Sequence, residues 1–587
     1  MPTNVLNIDL TRRQYSVEDR ADLFQYYIGG TGVATNLLRE NCPKGADPLG
    51  PDNPIIFAVG PLVGLYPLAS KTVSMFKSPL TGNLGESHAG GRSAISIRLA
   101  GYGAIVIRGA SESPIYLSIK DTGVEFKDAS GIWGIASSVT TGRVVRELET
   151  GAGTRTIMRI GSAGENLVRY AMVTTETYRH FGRLGLGAVF GSKKLKALAI
   201  CGEMGLEVES RKEYRKAYDD IYRRAVESPL MRKYHDIGTS VNIMPLNLLK
   251  GLPTRNLTSV SSADAMNISG EHLAEEYLGR RVACAHCPVA CIHIAGLREP
   301  YENEPYFYKT TMIAYDYELL YSLGSMLGVF DEKGLLRLID SVEIWGLDAM
   351  STGVVLAWAT EAMEKGLITE VETLGLNLKW GDFDTYSKAV EQIVKQRNEF
   401  YVNIARGVEY ASKIYGGEDF ALAFGGNEMP GYHTGPVTHI GSLTGARHSH
   451  LDAAGYSIDQ AALKGKLPDP KEAAARLLKE EVWRQILSSL VVCFFARNIY
   501  DKDTILKTLE TAGHTVAPDR LYGLGLEILR EKNQFKLEHG FDASALRIPK
   551  RILETDSPHG KVRESYLKEA VDEFYRLLAS DQDPEKF

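Results

Sequence analysis

The run Cys284-Ala-His-Cys287-Pro-Val-Ala-Cys291 sets three thiols in one short loop, in the pattern C-x2-C-x3-C. Thiolates this close together suit a compact metal or iron–sulfur centre, which needs a further ligand. Cys493, in Leu490-Val-Val-Cys493-Phe-Phe, is the natural fourth, and its apolar neighbours predict burial. The fold must therefore bring the chain back to the 284–291 loop after roughly 200 residues. Zinc is the alternative. Zinc ribbons pair two C-x2-C arms, whereas the spacing here is three-plus-one, and His286 or His293 would have to complete a zinc site. The spacing favours a cluster and leaves zinc open.

Six cysteines in 587 residues are few. Cys42 and Cys201 stand alone and read as small buried hydrophobes. Met1–Leu10 alternates polar and apolar residues without a charged-then-apolar signal layout, and no uninterrupted apolar run is long enough to span a bilayer. A cytosolic chain with reduced thiols is expected. The net charge of -6 and the absence of a long basic stripe argue against a nucleic-acid partner.

The first 200 residues read as mostly strand. Asn4–Leu10, Pro54–Val59, Thr72–Lys77, Ile95–Leu99, Ala104–Arg108, Pro114–Lys120 and Gly123–Lys127 are β-rich runs parted by Gly, Pro, Asn and Asp. Beyond residue 208 helical patterns dominate: Arg211–Ser228, Lys333–Trp345, Thr352–Lys365, Asp384–Arg397, Lys471–Leu490 and Asp501–Gly513. The stretches 250–310 and 415–447 read as irregular, and the polar tail from Pro549 as frayed at its end. The expectation is an α+β chain: a β-rich domain over 1–208, then two mostly helical domains over 209–415 and 416–587.

Several segments, in order, resemble the tungsten-containing aldehyde:ferredoxin oxidoreductases across nearly the whole chain. They are Asp47-Pro-Leu-Gly-Pro-Asp-Asn-Pro-Ile-Ile-Phe-Ala-Val-Gly-Pro-Leu62, Lys77-Ser-Pro-Leu-Thr-Gly82, Ala89-Gly-Gly91 and Ala100-Gly-Tyr-Gly-Ala-Ile-Val-Ile107. Gly161-Ser-Ala-Gly-Glu-Asn-Leu167, Gly185-Leu-Gly-Ala-Val-Phe-Gly-Ser-Lys-Lys-Leu-Lys196 and the cysteine run continue the series. The resemblance implies a β-structured saddle cradling a tungsten (or molybdenum) bis-pyranopterin, closed over by two helical domains. It also implies one [4Fe-4S] cluster on Cys284, Cys287, Cys291 and Cys493, magnesium bridging the pterin phosphates, an aldehyde substrate, and ferredoxin or a small iron–sulfur subunit as electron partner.

Residue by residue, the resemblance directs attention to backbone that approaches the pterins closely: Ala89, Gly90, Gly91, Gly182, Gly185 and Gly187, with Arg183 beside them. Lys71 stands where relatives carry an arginine linking cluster and pterin, and Lys77 is a second cation for phosphate or ring oxygens. The family signature D-x-x-G-L-D appears as Glu343-Ile-Trp-Gly346-Leu347-Asp348. D-x-x-G-L-C appears only as Ser488-Ser-Leu-Val-Val492-Cys493, which keeps the cysteine alone and leaves Ser488 where a carboxylate is usual. His88 and Phe181 replace a small amide and an alanine near the bridging magnesium.

For catalysis, Glu318 matches the family's active-site glutamate, a general acid/base, and His448 its active-site histidine, a donor or proton shuttle. Tyr432 stands where some relatives face a tyrosine to substrate, and His450 where some carry lysine. The implied reaction oxidises an aldehyde and water to a carboxylic acid. Arg337-Leu-Ile-Asp340 stands where some relatives carry E-x-x-H for an iron at a homodimer interface. An arginine repels a cation, so an iron-bridged homodimer is not expected, and a monomer or a pairing with a small iron–sulfur protein is. The rival readings are another low-potential reaction on the same scaffold, such as reduction of an aromatic thioester, and a non-catalytic binding protein built on zinc.

Overall fold

The computed structural model describes residues 1–582 except 177, 302 and 303. The expected frayed end, 583–587, lies outside the described residues. Two mixed six-stranded sheets build the first part of the chain. In the first sheet the strands run in the order Gln14–Asp19, Asn4–Asp9, Ala104–Arg108, Ile55–Ala58, Thr72–Lys77, Leu84–Ala89. Asn4–Asp9 and Ala104–Arg108 are its parallel pair. In the second the order is Arg179–Phe181, Val173–Thr175, Thr154–Arg159, Leu195–Gly202, Ile115–Lys120, Gly123–Asp128. Ile55–Ala58 and Thr72–Lys77 are buried on both faces, which explains the unbroken apolar run of the first.

One expected strand is a helix. Ser93–Leu99 coils against Thr154–Arg159 and Leu195–Gly202 of the second sheet, with Ser93–Arg98 all buried. A short apolar run bears no decisive periodicity, and here burial on every side overrides the β propensity of its isoleucines. Arg98 fixes this helix by donating to the Pro61 and Val63 carbonyls, both at 2.6 Å.

The edge strands Leu84–Ala89 and Arg179–Phe181 of the two sheets abut. Gly90 and Gly91 thus lie against Arg179, the first residue of the second sheet's edge strand.

Beyond the strand Leu195–Gly202 the chain turns helical, from Arg211–Glu227 onward. Ser210, Asp331, Asp348, Asp382, Asp469 and Asp501 each accept a backbone N–H at a helix start, so the helix boundaries are written in the sequence. Pro470–Ser489 packs between Arg520–Glu538, Glu564–Ala579 and the N-terminal helix Gly30–Asn41. That packing returns Cys493 to the sheets.

The 250–310 stretch is not irregular throughout. Leu278–Val282, Ile292–Tyr301 and Glu304–Tyr315 form a three-stranded antiparallel sheet. Its outer half is exposed on both faces and mixes aromatic with charged residues, so it lacks the alternation that marks a strand. The Gly-rich 415–447 stretch holds the helix Pro436–Thr444 and is almost wholly buried from Ala421 to Ser449. Among the described residues no helix is long and apolar enough to cross a membrane.

Candidate active site

The four cysteines gather around one volume. The Cys284 Sγ would lie 2.7 Å from a Cβ on Gly90, with Lys71 Nζ 3.6 Å from the same point. Only glycine admits the loop there. Ala285 donates to the Gly91 carbonyl at 2.9 Å, and Cys493 N donates to the Leu68 carbonyl at 2.9 Å. Lys71 N donates to the Val491 carbonyl, and Ala69 pairs with Val492. The segments 68–71, 90–91, 284–291 and 491–493 are thus laced together.

Burial pushes the Cys287 and Cys291 thiols up to about 12, and the neighbouring cysteines add to the rise. Such thiols are held neutral until a cation takes them as ligands. Among the described residues no three His, Cys, Asp or Glu side chains converge as a single-ion site would require.

Glu318 lies on the short helix Tyr317–Leu319, capped by Asp316, and a widened turn over Leu320–Gly324 follows. Such widened turns recur at functional sites. The Glu318 side chain is deep in the fold yet 19% exposed, so it borders an interior space. Its Oε2 accepts from Gly431 N at 3.4 Å, and its Oε1 lies 3.2 Å from His450 Nε2. That contact is not aligned as a hydrogen bond, and Oε1 and His450 Nδ1 stay without partners.

Burial, with Asp316 nearby, pushes the Glu318 carboxyl up to about 8. Burial, with Arg183, Arg484 and Arg447 around it, pushes His450 down to about 3. The pair is therefore neutral at pH 7, with the proton on Glu318.

Tyr432 packs its ring 5.2 Å from His450 and stacks on Tyr456 at 4.3 Å. His448, by contrast, is turned away. Its Nε2 meets Lys536 Nζ at 3.0 Å and its Nδ1 meets the Ser442 carbonyl at 3.1 Å. The structure brings Glu318, His450 and Tyr432 together and does not bring His448 to them. Left-handed backbone at His448 (φ 54°) sends alternate residues of Arg447-His448-Ser449-His450 into different surroundings, which spacing alone does not reveal.

Arg183 reaches Asp348 Oδ2 at 2.9 Å and the Glu428 carbonyl at 2.9 Å, and also bonds Asn427. Ser351 Oγ bridges Asp348 and Glu428 at 2.6 Å each. Gly182 opens on empty space. Gly185 (φ 86°) would drive a Cβ to 2.1 Å from the Arg169 carbonyl, so its role is tight packing, and a Cβ on Gly187 would lie 2.5 Å from the Met172 carbonyl.

Gly346 caps the helix Glu332–Trp345, and Leu347 is buried. Glu343 pairs with His180 at 2.7 Å. Lys77 is buried and donates to the Ala46 carbonyl at 2.7 Å. His88 pairs with Glu86 at 2.7 Å, and Phe181 packs edge-on to Phe57 at 5.4 Å. Ser488 and Val492 are buried at the end of Pro470–Ser489. Arg337 is bonded to Glu299, so the place of an interfacial iron is held by an ion pair.

Sequence reasoning missed His180, Asn427, Glu428, Tyr456 and the buried Glu86–Lys532 pair. The run Gly425-Gly-Asn-Glu428 carried a signal for two of them, because polar residues between glycines in an apolar stretch need partners.

Helices thus close two mixed sheets over four gathered thiols and a buried carboxyl–imidazole pair. The description "Aldehyde ferredoxin oxidoreductase, N-terminal domain" matches residues 5–202, and "Aldehyde ferredoxin oxidoreductase, domains 2 & 3" matches residues 216–583. The chain belongs to the aldehyde ferredoxin oxidoreductase family.

The tungsten-containing aldehyde ferredoxin oxidoreductase of Thermococcus kodakarensis is 31% identical, covering 98% of this chain and 96% of the relative. That of Pyrococcus furiosus is 30% identical over the same shares. The aliphatic sulfonate oxidoreductase, WOR-like subunit, of Pyrococcus furiosus is 27% identical over 77% of this chain and 76% of its own. Among solved structures, the active site complex BamBC of benzoyl coenzyme A reductase with 1,5-dienoyl-CoA superposes with a TM-score of 0.80 at 21% identity. It covers 99% of this chain and 95% of that one, a likeness of fold.

Proposed function

We propose that this protein oxidises aldehydes to carboxylic acids, RCHO + H2O → RCOOH + 2 H⁺ + 2 e⁻. The observation that carries the reading is the Glu318–His450 pair, 3.2 Å apart and deep in the fold, with Oε1 and Nδ1 both without partners. A tungsten bis-pyranopterin would accept the electron pair, and a [4Fe-4S] cluster would pass electrons outward singly.

The residues fit the cluster well: four thiols, a glycine that lets Cys284 in, and Lys71 beside it. Arg183, Gly182 and Asp348 would hold one pterin, Arg183 Nε being without an aligned acceptor. Gly90, Gly91 and the Ser488–Val492 turn would hold the other. Magnesium fits less well, because His88 and Phe181 are engaged with Glu86 and Phe57, and no step here depends on it.

Within the pocket the Glu318 carboxylic acid donates to the substrate carbonyl and polarises it. Once that proton has passed to the carbonyl oxygen, the carboxylate left behind, whose affinity for protons lies about a unit above neutral, can take the proton released as the acid forms. His450, uncharged and with Nδ1 free, is the second donor or acceptor and relays that proton. Tyr432 and Tyr456 form an aromatic wall beside it. This assigns to His450 the part expected of His448.

The test is a viologen-coupled assay of anaerobic native protein with aliphatic and aromatic aldehydes, and with an aromatic coenzyme A thioester in the reductive direction. Aldehyde-dependent viologen reduction supports the reading. Thioester turnover with no aldehyde oxidation overturns it.

A further inference from the structure

The three-stranded sheet that follows the cysteine loop carries an exposed arm. Tyr301, Tyr306, Phe307 and Tyr308 expose 51%, 89%, 66% and 54% of their surface. Successive residues point to opposite faces, so apolar rings stand out on both sides. A two-stranded projection of this kind is marginal alone, and clustered exposed aromatics mark a recognition surface. The arm is anchored at its side by the Glu299–Arg337 ion pair.

Two features say what covers it. The first is continuity with the cysteines. Cys291 directly precedes the strand Ile292–Tyr301, the edge strand Leu278–Val282 leads into the loop, and Ala283 and His286 of that loop are exposed. The second is charge. Arg280, Arg281, Arg298 and Lys309 are exposed on this sheet, with Arg298 lying over the Tyr308 ring at 4.7 Å. On the same sheet Glu299 is neutralised by Arg337, which among the described residues of the sheet leaves Glu304 as the exposed acid against these four cations. A basic face is unusual on a chain of net charge -6.

We propose that this sheet is the docking surface for an acidic iron–sulfur electron carrier. The edge arginines face the carrier's carboxylates beside the cysteine loop, and the aromatic arm packs along its flank. Charge steers the encounter and the buried rings hold it. One electron then leaves the reduced cluster of this protein and reduces the oxidised cluster of the carrier. The inference rests on the reading of the four cysteines as a cluster.

The experiment measures binding of a purified acidic [4Fe-4S] ferredoxin to the anaerobic holoenzyme at low and high salt. It uses wild type, the double variant Arg280→Glu/Arg281→Glu and the triple variant Tyr306→Ser/Phe307→Ser/Tyr308→Ser. Iron content, viologen-linked rate and oligomeric state are recorded on the same samples. The expected result is binding weakened about tenfold or more by salt and by either variant, with iron and viologen rate unchanged. Unaltered binding in both variants overturns the proposal. So does a triple variant that converts a dimer to monomers while ferredoxin affinity holds, because a second copy then covers the arm. Wild type without iron removes the cluster reading itself, and so is distinguished from failed docking.

Discussion

Glu318 Oε1 lies 3.2 Å from Nε2 of His450, two residues beyond the histidine that sequence similarity singles out. The pair stays uncharged because both side chains are deep in the fold, and arginines disfavour a charge on the imidazole. In the proposed reaction the carboxyl carries the proton. Glu318→Gln keeps the shape and removes the transferable proton, so kcat should fall by about 10²–10⁴-fold. Iron content and the thermal midpoint should stay near wild type. Steady-state rates and melting curves check this together.

The same carboxyl sets a pH signature. Its folded affinity, about 8, lies above its ordinary 4.5. The folded state therefore binds the extra proton between those values, and stability relative to the unfolded chain falls as pH rises from about 4.5 to about 8. The decline should be smaller in Glu318→Gln. Denaturant titrations of the two proteins across that window read the difference. The rate of the wild type should fall as pH rises through about 8, where the donor proton is lost.

The two histidines should separate by variant. His450→Asn removes the group beside Glu318 and should lower kcat by about 10²-fold or more. His448→Asn loosens a buried contact with Lys536 and should act chiefly on stability, by about 1–3 kcal/mol. Parallel kinetics and melting decide it. A His448→Asn enzyme that is folded but inactive would return the catalytic part to His448.

Much of this was legible in the residues. The cysteine spacing forecast the return of Cys493 to the 284–291 loop, because a centre of this kind needs a fourth thiol. Apolar periodicity marked several of the helices, and turn residues marked six of the twelve strands in the two large sheets, leaving Gln14–Asp19, Leu84–Ala89, Thr154–Arg159, Val173–Thr175, Arg179–Phe181 and Leu195–Gly202 unread. Ser93–Leu99 escaped because six consecutive buried residues carry no period. The sheet over 278–315 escaped because its outer half is exposed on both faces and shows no alternation. That His450 and not His448 meets Glu318 escaped because left-handed backbone at His448 re-aims the segment, and Glu343 found His180 through a tertiary contact that no local pattern encodes.

Below the site, Lys532 Nζ bonds Glu86 Oε2 at 2.5 Å and Gln485 Oε1 at 2.6 Å, with both charged side chains almost wholly buried. Lys532→Met leaves the Glu86 charge without its ammonium and should cost about 3–5 kcal/mol. Glu86→Gln in the same chain should recover part of that loss. Urea unfolding of the single and double variants measures it.

The central claim is a pterin-bound metal beside a cluster held by Cys284, Cys287, Cys291 and Cys493. Elemental analysis of anaerobically purified native protein, with Cys493→Ser alongside, tests it most directly. The account predicts about four irons and about one tungsten (or molybdenum) per chain, a brown colour with absorption near ~400 nm, and a loss of iron in Cys493→Ser. Zinc alone, without iron, tungsten or molybdenum, would contradict it and leave a structural zinc site in place of an enzyme.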